Sequence, residues 1–423
     1  MLHTLKNGLR VIIVDTKSFP TVTTLVLVGA GSRYETKKNN GIAHFLEHMF
    51  YKGSTKYPNP EIISQVIEGM GGHWNAFTSK DYTGYYIKAS TDHFTTMIDM
   101  LADLIQHSLF DPHEIEKEKG VIIEEINMYE DQPQRRVSEL FENELFAGSP
   151  LGYDIAGTKE TVTSFSRTDF TNYMDSLYKP NNTVLVIAGG LEGNEQKYLD
   201  HIEKQFGNWE KGTFGAFNKC SLSQKHPRIV VAHKKTEQAH FCLGYPTFAQ
   251  NDKRRPALKV LATVLGGGSS SRLFQEVREK RGLCYYIGTG TDQYHETGHI
   301  MTQAGVAKDL TKVKEALVAT IHEHYKLAEG HIAESDIARA KEMLKGRLLL
   351  SLEDSFNVAH YYGLKQLHEG KITPPDKLIQ EVQSVTKDEL VKLAHDLFIA
   401  DRLTCAIIGP FSPGDIAVVD LSA

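Results

Sequence analysis

The chain is short of cysteine, of net charge and of long apolar runs, and each shortage removes a class of protein. Four cysteines stand in 423 residues, at Cys220, Cys242, Cys284 and Cys405, and none forms a C-x-x-C pair. Thiols so few and so scattered do not make a disulfide framework, and they suit a reducing, cytoplasmic setting. A net charge of −6 over this length argues against a general nucleic-acid binder. No apolar run approaches the roughly 20 residues that a membrane helix needs. The opening segment, Met1 to Arg10, lacks a basic stretch followed by an apolar one, so no secretory signal is expected there.

What is present reads as an ordinary globular composition, 41% hydrophobic and 24% charged. The length exceeds the roughly 250–300 residues at which a single core stops growing, so more than one domain is expected. A repeat supports this. Val162 to Phe170 leads to Leu177-Tyr178 and then to the β-branched run Thr183 to Gly189. Val382 to Leu390 leads in the same way to Leu397-Phe398 and to Leu403 to Gly409, so that 382 − 162 and 409 − 189 both equal 220. Each copy offers a Ser or Thr cap, an amphipathic helix, a short turn and a strand ending at Gly. Duplication of a domain is the reading, with an N-terminal domain over 1–212, a linker over 213–226 and a homologous domain over 227–423.

Within the first half, Leu9 to Val14 and Thr21 to Val28 read as strands, and Gly72 to Ala89 reads as a hairpin rich in Thr, Tyr and Phe. Long helical patterns lie between such runs. Strands joined by short turns favour a mainly antiparallel sheet with helices packed on it, an α+β fold in two homologous domains.

One helical stretch carries chemistry. Asn39-Asn40-Gly41 offers an N-cap, and Ile42 to Phe50 follows without a breaker. His44 and His48 are four apart and project from one helical face, a spacing that can hold two corners of a zinc tetrahedron. Glu47, beside His48 and three after His44, can hang over the open coordination position as a general base. The plainer reading is an amphipathic helix with two histidines four apart by chance. A third ligand must come from elsewhere. Asp111-Pro112 opens a helical pattern that runs to Met128 and ends before Pro133, and its Glu118 and Glu125, seven apart, share a face beside Val121, Ile122 and Ile126.

With these residues the chain resembles the pitrilysin/insulinase family of zinc metallopeptidases, the inverzincins, whose signature is His-x-x-Glu-His followed by a distant glutamate. Family spacing selects Glu125 as the third ligand and matches Glu118 to a glutamate that supports the site without binding metal. One Zn2+ per chain is implied. The resemblance runs nearly the full length. Gly71 to Thr78 is similar to the family's edge strand, which implies that Asn75, Ala76 and Phe77 hold substrate backbone. Gly266 to Phe274 is similar to its glycine-rich loop, which implicates Gly267 and Gly268. Arg278 and Tyr285 match an arginine–tyrosine pair of catalytic members, suited as donors to an oxyanion.

By the same resemblance the chain should hydrolyse peptides or unfolded segments inside a chamber. A homodimer should form it, each site drawing zinc ligands from one subunit and Arg278/Tyr285 from the other. The alternative is a processing or structural subunit that acts only beside a different partner chain. Nucleic acid and membrane are not expected as partners. The sequence departs from the mitochondrial processing-peptidase branch, where acids select arginine. Here the matching stretch is Gln134-Arg135-Arg136, with Glu139 the nearest acid, and basic residues there would repel an arginine.

Overall fold

The structure is a computed structural model that describes residues 1–191, 193 and 195–416. The final seven residues of the expected 227–423 domain lie outside the described residues. The first sheet has six strands: β1 (Leu2–Thr4), β2 (Arg10–Asp15), β3 (Thr21–Val28), β4 (His73–Thr78), β5 (Thr83–Ser90) and β6 (Thr183–Gly189). Their order is β1-β2-β6-β3-β5-β4. The second has five: β7 (Arg228–His233), β8 (Gln238–Phe248), β9 (Cys284–Gln293), β10 (Thr297–Ala307) and β11 (Thr404–Gly409), in the order β7-β11-β8-β10-β9. Both are mainly antiparallel, with one parallel pair each, β2 with β6 and β7 with β11. This is the expected α+β architecture. Among the described residues no helix is long and apolar enough to cross a membrane.

β3 shows why helices must cover both faces of the first sheet. Every residue after Thr21 is buried, although side chains alternate between faces along a strand. Val22, Val26 and Val28 enter one core with Phe45, Met49 and Ile98. Leu25 and Leu27 enter another with Ile12, Val184, Val186, Val358 and Ala359. Each such aliphatic side chain stabilises the fold by roughly 1.5–3 kcal/mol through its burial.

Val358 and Ala359 belong to the helix Ser355–Glu369, far along the chain from the strands it covers. Thr23 Oγ1 and Ser355 Oγ lie 2.8 Å apart where helix meets sheet. At Gly363 a Cβ would come within 2.5 Å of Leu27 Cδ1, so the missing side chain lets the helix approach this closely. A reciprocal arrangement occurs in the second sheet. There the helix Pro133–Leu145 buries Val137, Phe141 and Leu145 against Cys242, Ala406 and Ile408 of β8 and β11.

The chain therefore forms two compact units from discontinuous stretches. One comprises Met1–Ile126, Tyr153–Asn218 and Leu349–Thr373, and the other Asn127–Gly152, Lys219–Leu348 and Pro374–Ala423. The repeated tails lie one in each. The helices Arg167–Leu177 and Lys387–Leu397 both begin with a capping box: Ser166 N donates to Asp169 and Thr386 N to Glu389, each at 2.8 Å. Each leads into a strand, β6 or β11.

Candidate metal centre

The helix Ile42–Phe50 buries Ile42, Phe45, Leu46 and Met49 in the core of the first unit, which leaves His44, Glu47 and His48 on its other face. Its start differs from the expected Asn39-Asn40-Gly41 cap. Gly41 occupies the cap position at φ 96°, a left-handed conformation suited to glycine, and no side chain at that position accepts a hydrogen bond. Glu35 substitutes for it. Its carboxylate accepts from Gly41 N at 2.8 Å and from Ala43 N and Asn40 Nδ2 at 2.9 Å. Negative charge here also complements the helix dipole. Burial nevertheless raises the Glu35 carboxyl to about 7 against these three donors.

The second contributor is the helix Pro112–Glu130, opened by Asp111 Oδ1, which accepts from His113 N at 2.7 Å and Glu114 N at 3.3 Å. Ile115, Ile122 and Ile126 are buried and fix its rotation, so that Glu118 and Glu125 face the two histidines. Glu125 Oε2 stands 3.6 Å from His44 Nε2 and 3.5 Å from His48 Nε2. One ligand atom from each of the three residues lies within 4.8 Å of the others. Ligand atoms bonded at about 2.0–2.1 Å to a tetrahedral zinc stand roughly 3.3 Å apart. The donor set therefore fits a zinc ion with little adjustment.

Glu118 orients one of those ligands. Its carboxylate accepts from His48 Nδ1 at 2.8 Å and pairs with Lys52 Nζ at 2.6 Å. Burial works against ionisation, but these two donors hold the Glu118 carboxyl below the usual range. An ionised carboxylate only accepts, so Nδ1 carries the proton and the Nε2 lone pair is left for a metal. Without a metal the His48 ring is raised to about 9, since burial opposes its charge but Glu118 and Glu125 outweigh burial, so an ion binding at Nε2 displaces a proton there.

Glu47 lies beside this cluster. Burial raises its carboxyl, the Thr78 hydroxyl donating to Oε2 at 2.5 Å pulls it back, and the charge of Glu125 adds to the rise. Thr78 ends β4, the edge strand of the first sheet, which among the described residues pairs only with β5. Asn75, Ala76 and Phe77 lie on the same strand. The Tyr51 hydroxyl donates to Asn75 O at 3.2 Å, and its ring lies 4.2 Å from that of Trp74, tying the edge strand to the end of the metal-motif helix.

The remaining sequence-selected residues lie in the second unit. Gly267 and Gly268 follow the helix Arg255–Gly266, and Arg347 Nη2 donates to Gly267 O at 2.6 Å. Arg278 sits in a stretch of π-helix over the Phe274 ring, and Tyr285 is 75% exposed on β9, an edge strand. Arg135 and Arg136 both reach Glu139, at 3.6 and 2.9 Å, so the acid nearest that stretch already has two cationic partners.

Sequence reasoning gave no role to Thr78, Lys52 or Glu35. Thr78 closed the quoted edge-strand segment, and period two placed it on the same face as Ala76. Lys52 follows His48 by four, a helical spacing. Nothing in the local pattern marks Glu35, which reaches the helix by way of a loop.

Two layered α+β units, one carrying a His–His–Glu cluster on paired helices with a further carboxylate, that of Glu47, beside it, describe a recognisable class. The chain belongs to the insulinase family, peptidase family M16: the family's model matches residues 10–159, and the model described as the M16 inactive domain matches 164–344. An uncharacterized zinc protease of Bacillus subtilis, YmxG, is 37% identical over 96% of this chain and 98% of its own. One from Streptomyces coelicolor is 34% identical over 96% of this chain and 89% of its own. Among solved structures, a protease from Helicobacter pylori superposes with a TM-score of 0.89 at 25% identity, covering 97% of this chain and 99% of that one.

Proposed function

We propose that this chain is a zinc-dependent endopeptidase that binds one ion through His44, His48 and Glu125. The observation that carries the reading is the convergence of those three side chains, at 3.5 and 3.6 Å, beside a carboxylate held by Thr78. When bound, zinc would supply Lewis-acid chemistry that acidifies water to a pKa near 7. Glu47, whose carboxyl is raised by burial, takes the proton of the attacking water and passes it to the leaving amine. Thr78 holds the carboxylate in position for both transfers. The free edge of β4 binds the peptide as an added strand through Asn75, Ala76 and Phe77, with little dependence on side chains. Tyr285 and Arg278 donate to the oxyanion, and Gly267 and Gly268 line the path of the substrate.

The substrates proposed are peptides and unfolded segments enclosed in a chamber. A homodimer that shares its sites between subunits, with the metal ligands from one chain and Arg278 and Tyr285 from the other, is part of the proposal and rests on the resemblance to the family. So is the division at 213–226, which concerns descent by duplication, whereas the compact units reflect packing. A cytoplasmic location is consistent with four free cysteines.

The deciding experiment is Glu47→Gln, assayed on a quenched peptide with zinc content measured alongside. Cleavage should fall by on the order of 10²–10⁴-fold, with about one zinc per chain retained. Undiminished cleavage would refute the assignment.

A further inference from the structure

We propose that Arg272 and Glu323 are positioning residues for the peptide substrate: their buried ion pair holds the glycine-rich loop in the shape that receives it. The proposal rests on the reading above, in which Gly267 and Gly268 line the path of the substrate.

The segment Gly266-Gly267-Gly268-Ser269-Ser270-Ser271 joins the helix Arg255–Gly266 to the stretch Phe274–Lys280 that carries Arg278. Three consecutive glycines leave its backbone unusually free, so ordering it costs entropy that other contacts must offset. Local turns fix part of it: Gly267 N donates to Thr263 O and Ser271 N to Gly268 O, each at 2.9 Å. At Gly266 a Cβ would stand 2.3 Å from Thr289 Oγ1, so the segment begins pressed against β9, the strand that bears Tyr285.

A charge pair fixes the far end. Arg272 Nε and Nη2 reach one oxygen, Glu323 Oε2, at 2.9 and 2.8 Å, and Nη1 donates to His331 O. The other oxygen, Oε1, accepts from Lys326 Nζ at 2.7 Å. Glu323 is 4% exposed on the helix Leu310–Ala328, and His331 lies just beyond that helix. From another helix, Glu334–Ser351, Arg347 Nη2 donates to Gly267 O. The loop is thus held at Gly267 and again at Arg272.

Stability by itself does not call for this arrangement, because apolar side chains of similar size can replace a buried ion pair without loss. What the pair supplies is direction. All three guanidinium nitrogens are engaged, which sets where Arg272, and the loop before it, must lie. A lysine keeps the charge but lacks the planar fork that spans these contacts.

The test reads peptide binding by the full chain. A fluorescein-labelled form of the assay peptide should bind the zinc-loaded Glu47→Gln chain, with affinity read by anisotropy. Adding Arg272→Lys should weaken that binding by about tenfold or more, as displacement of a positioning element does. Thermal midpoint and zinc content should stay as in the parent chain. In chains that retain Glu47, Arg272→Lys should raise KM by a similar factor with kcat little changed. Arg272→Met/Glu323→Leu removes both charges together and leaves neither unpaired, so it decides the matter if Arg272→Lys is unstable. Unchanged affinity in a stable variant overturns the proposal. So does a loss of affinity matched in both variants by a fall in midpoint, since the pair would then support the fold alone. A Glu47→Gln chain that binds no peptide overturns it too. Failure of the peptidase reading looks different: the unsubstituted chain would bind the peptide without cleaving it, and this proposal would stand.

Discussion

Glu118 and Thr78 touch the chemistry only through other residues, and their effects separate. Glu118 fixes the tautomer of His48, so Glu118→Gln removes the charge that holds the Nδ1 proton and leaves Lys52 without its counter-ion. Zinc affinity should fall by about 10–100-fold, measured by competition with a chromophoric chelator. An unchanged affinity would mean that His48 is oriented by packing alone. Thr78→Val, by contrast, leaves the ligands intact and frees the Glu47 carboxylate. A hydrogen bond to a charged group contributes roughly 1.5–3 kcal/mol, so kcat should drop by about 10–100-fold with KM and zinc content little altered. A rise in KM at constant kcat would show instead that Thr78 serves the substrate strand. Helical spacing alone places His44, Glu47 and His48 on one face, whereas Glu125 was singled out through the family resemblance. Thr78 was not, since its contact with Glu47 joins a strand to a helix 31 residues earlier.

At the scale of elements, the metal-motif helix is held at its start by a buried acid. Glu35 faces Asn40, Gly41 and Ala43 of that helix, with Lys80 favouring its ionisation and Tyr173 packed nearby. Its carboxyl is raised from 4.5 to about 7 on folding. A raised acid contributes stability that is complete below the unfolded value, near pH 4.5, and is lost as pH climbs through about 7. The difference corresponds to roughly 2–4 kcal/mol. Thermal unfolding of Glu35→Gln should therefore lack the part of the pH dependence that wild type shows between about pH 4.5 and 7. Identical profiles for the two proteins would refute this role. The expected Asn39–Gly41 cap was legible as a helix start. That its carboxylate comes from Glu35 depends on the path of the intervening loop.

For the whole molecule, the proposed homodimer is tested by mixing. Glu47→Gln and Tyr285→Phe chains should each be nearly inactive, and their mixture should recover up to about a quarter of wild-type activity if each site draws on two subunits. Recovery follows because one site of a mixed dimer then carries neither substitution. A mixture as inactive as its parents would place every catalytic residue of a site on one chain. Mass measurement of the mixture shows whether subunits exchanged, which removes slow exchange as an explanation.

The sequence by itself determined what depends on short-range periodicity. It placed β3 at Thr21–Val28, the helix at Ile42–Phe50, and the two capped helix–strand tails 220 residues apart. Those features follow from side-chain spacing, cap chemistry and β-branching, which act within a few residues. Tertiary structure alone decided which helix covers which sheet. Ser355–Glu369 packs on the first sheet and Pro133–Leu145 on the second, because each apolar face is buried only where a complementary surface awaits it, as at Gly363 against Leu27. It also decided the meeting of Arg272 and Glu323, since the path of a loop and a packed helix, rather than any motif, bring together residues 51 apart.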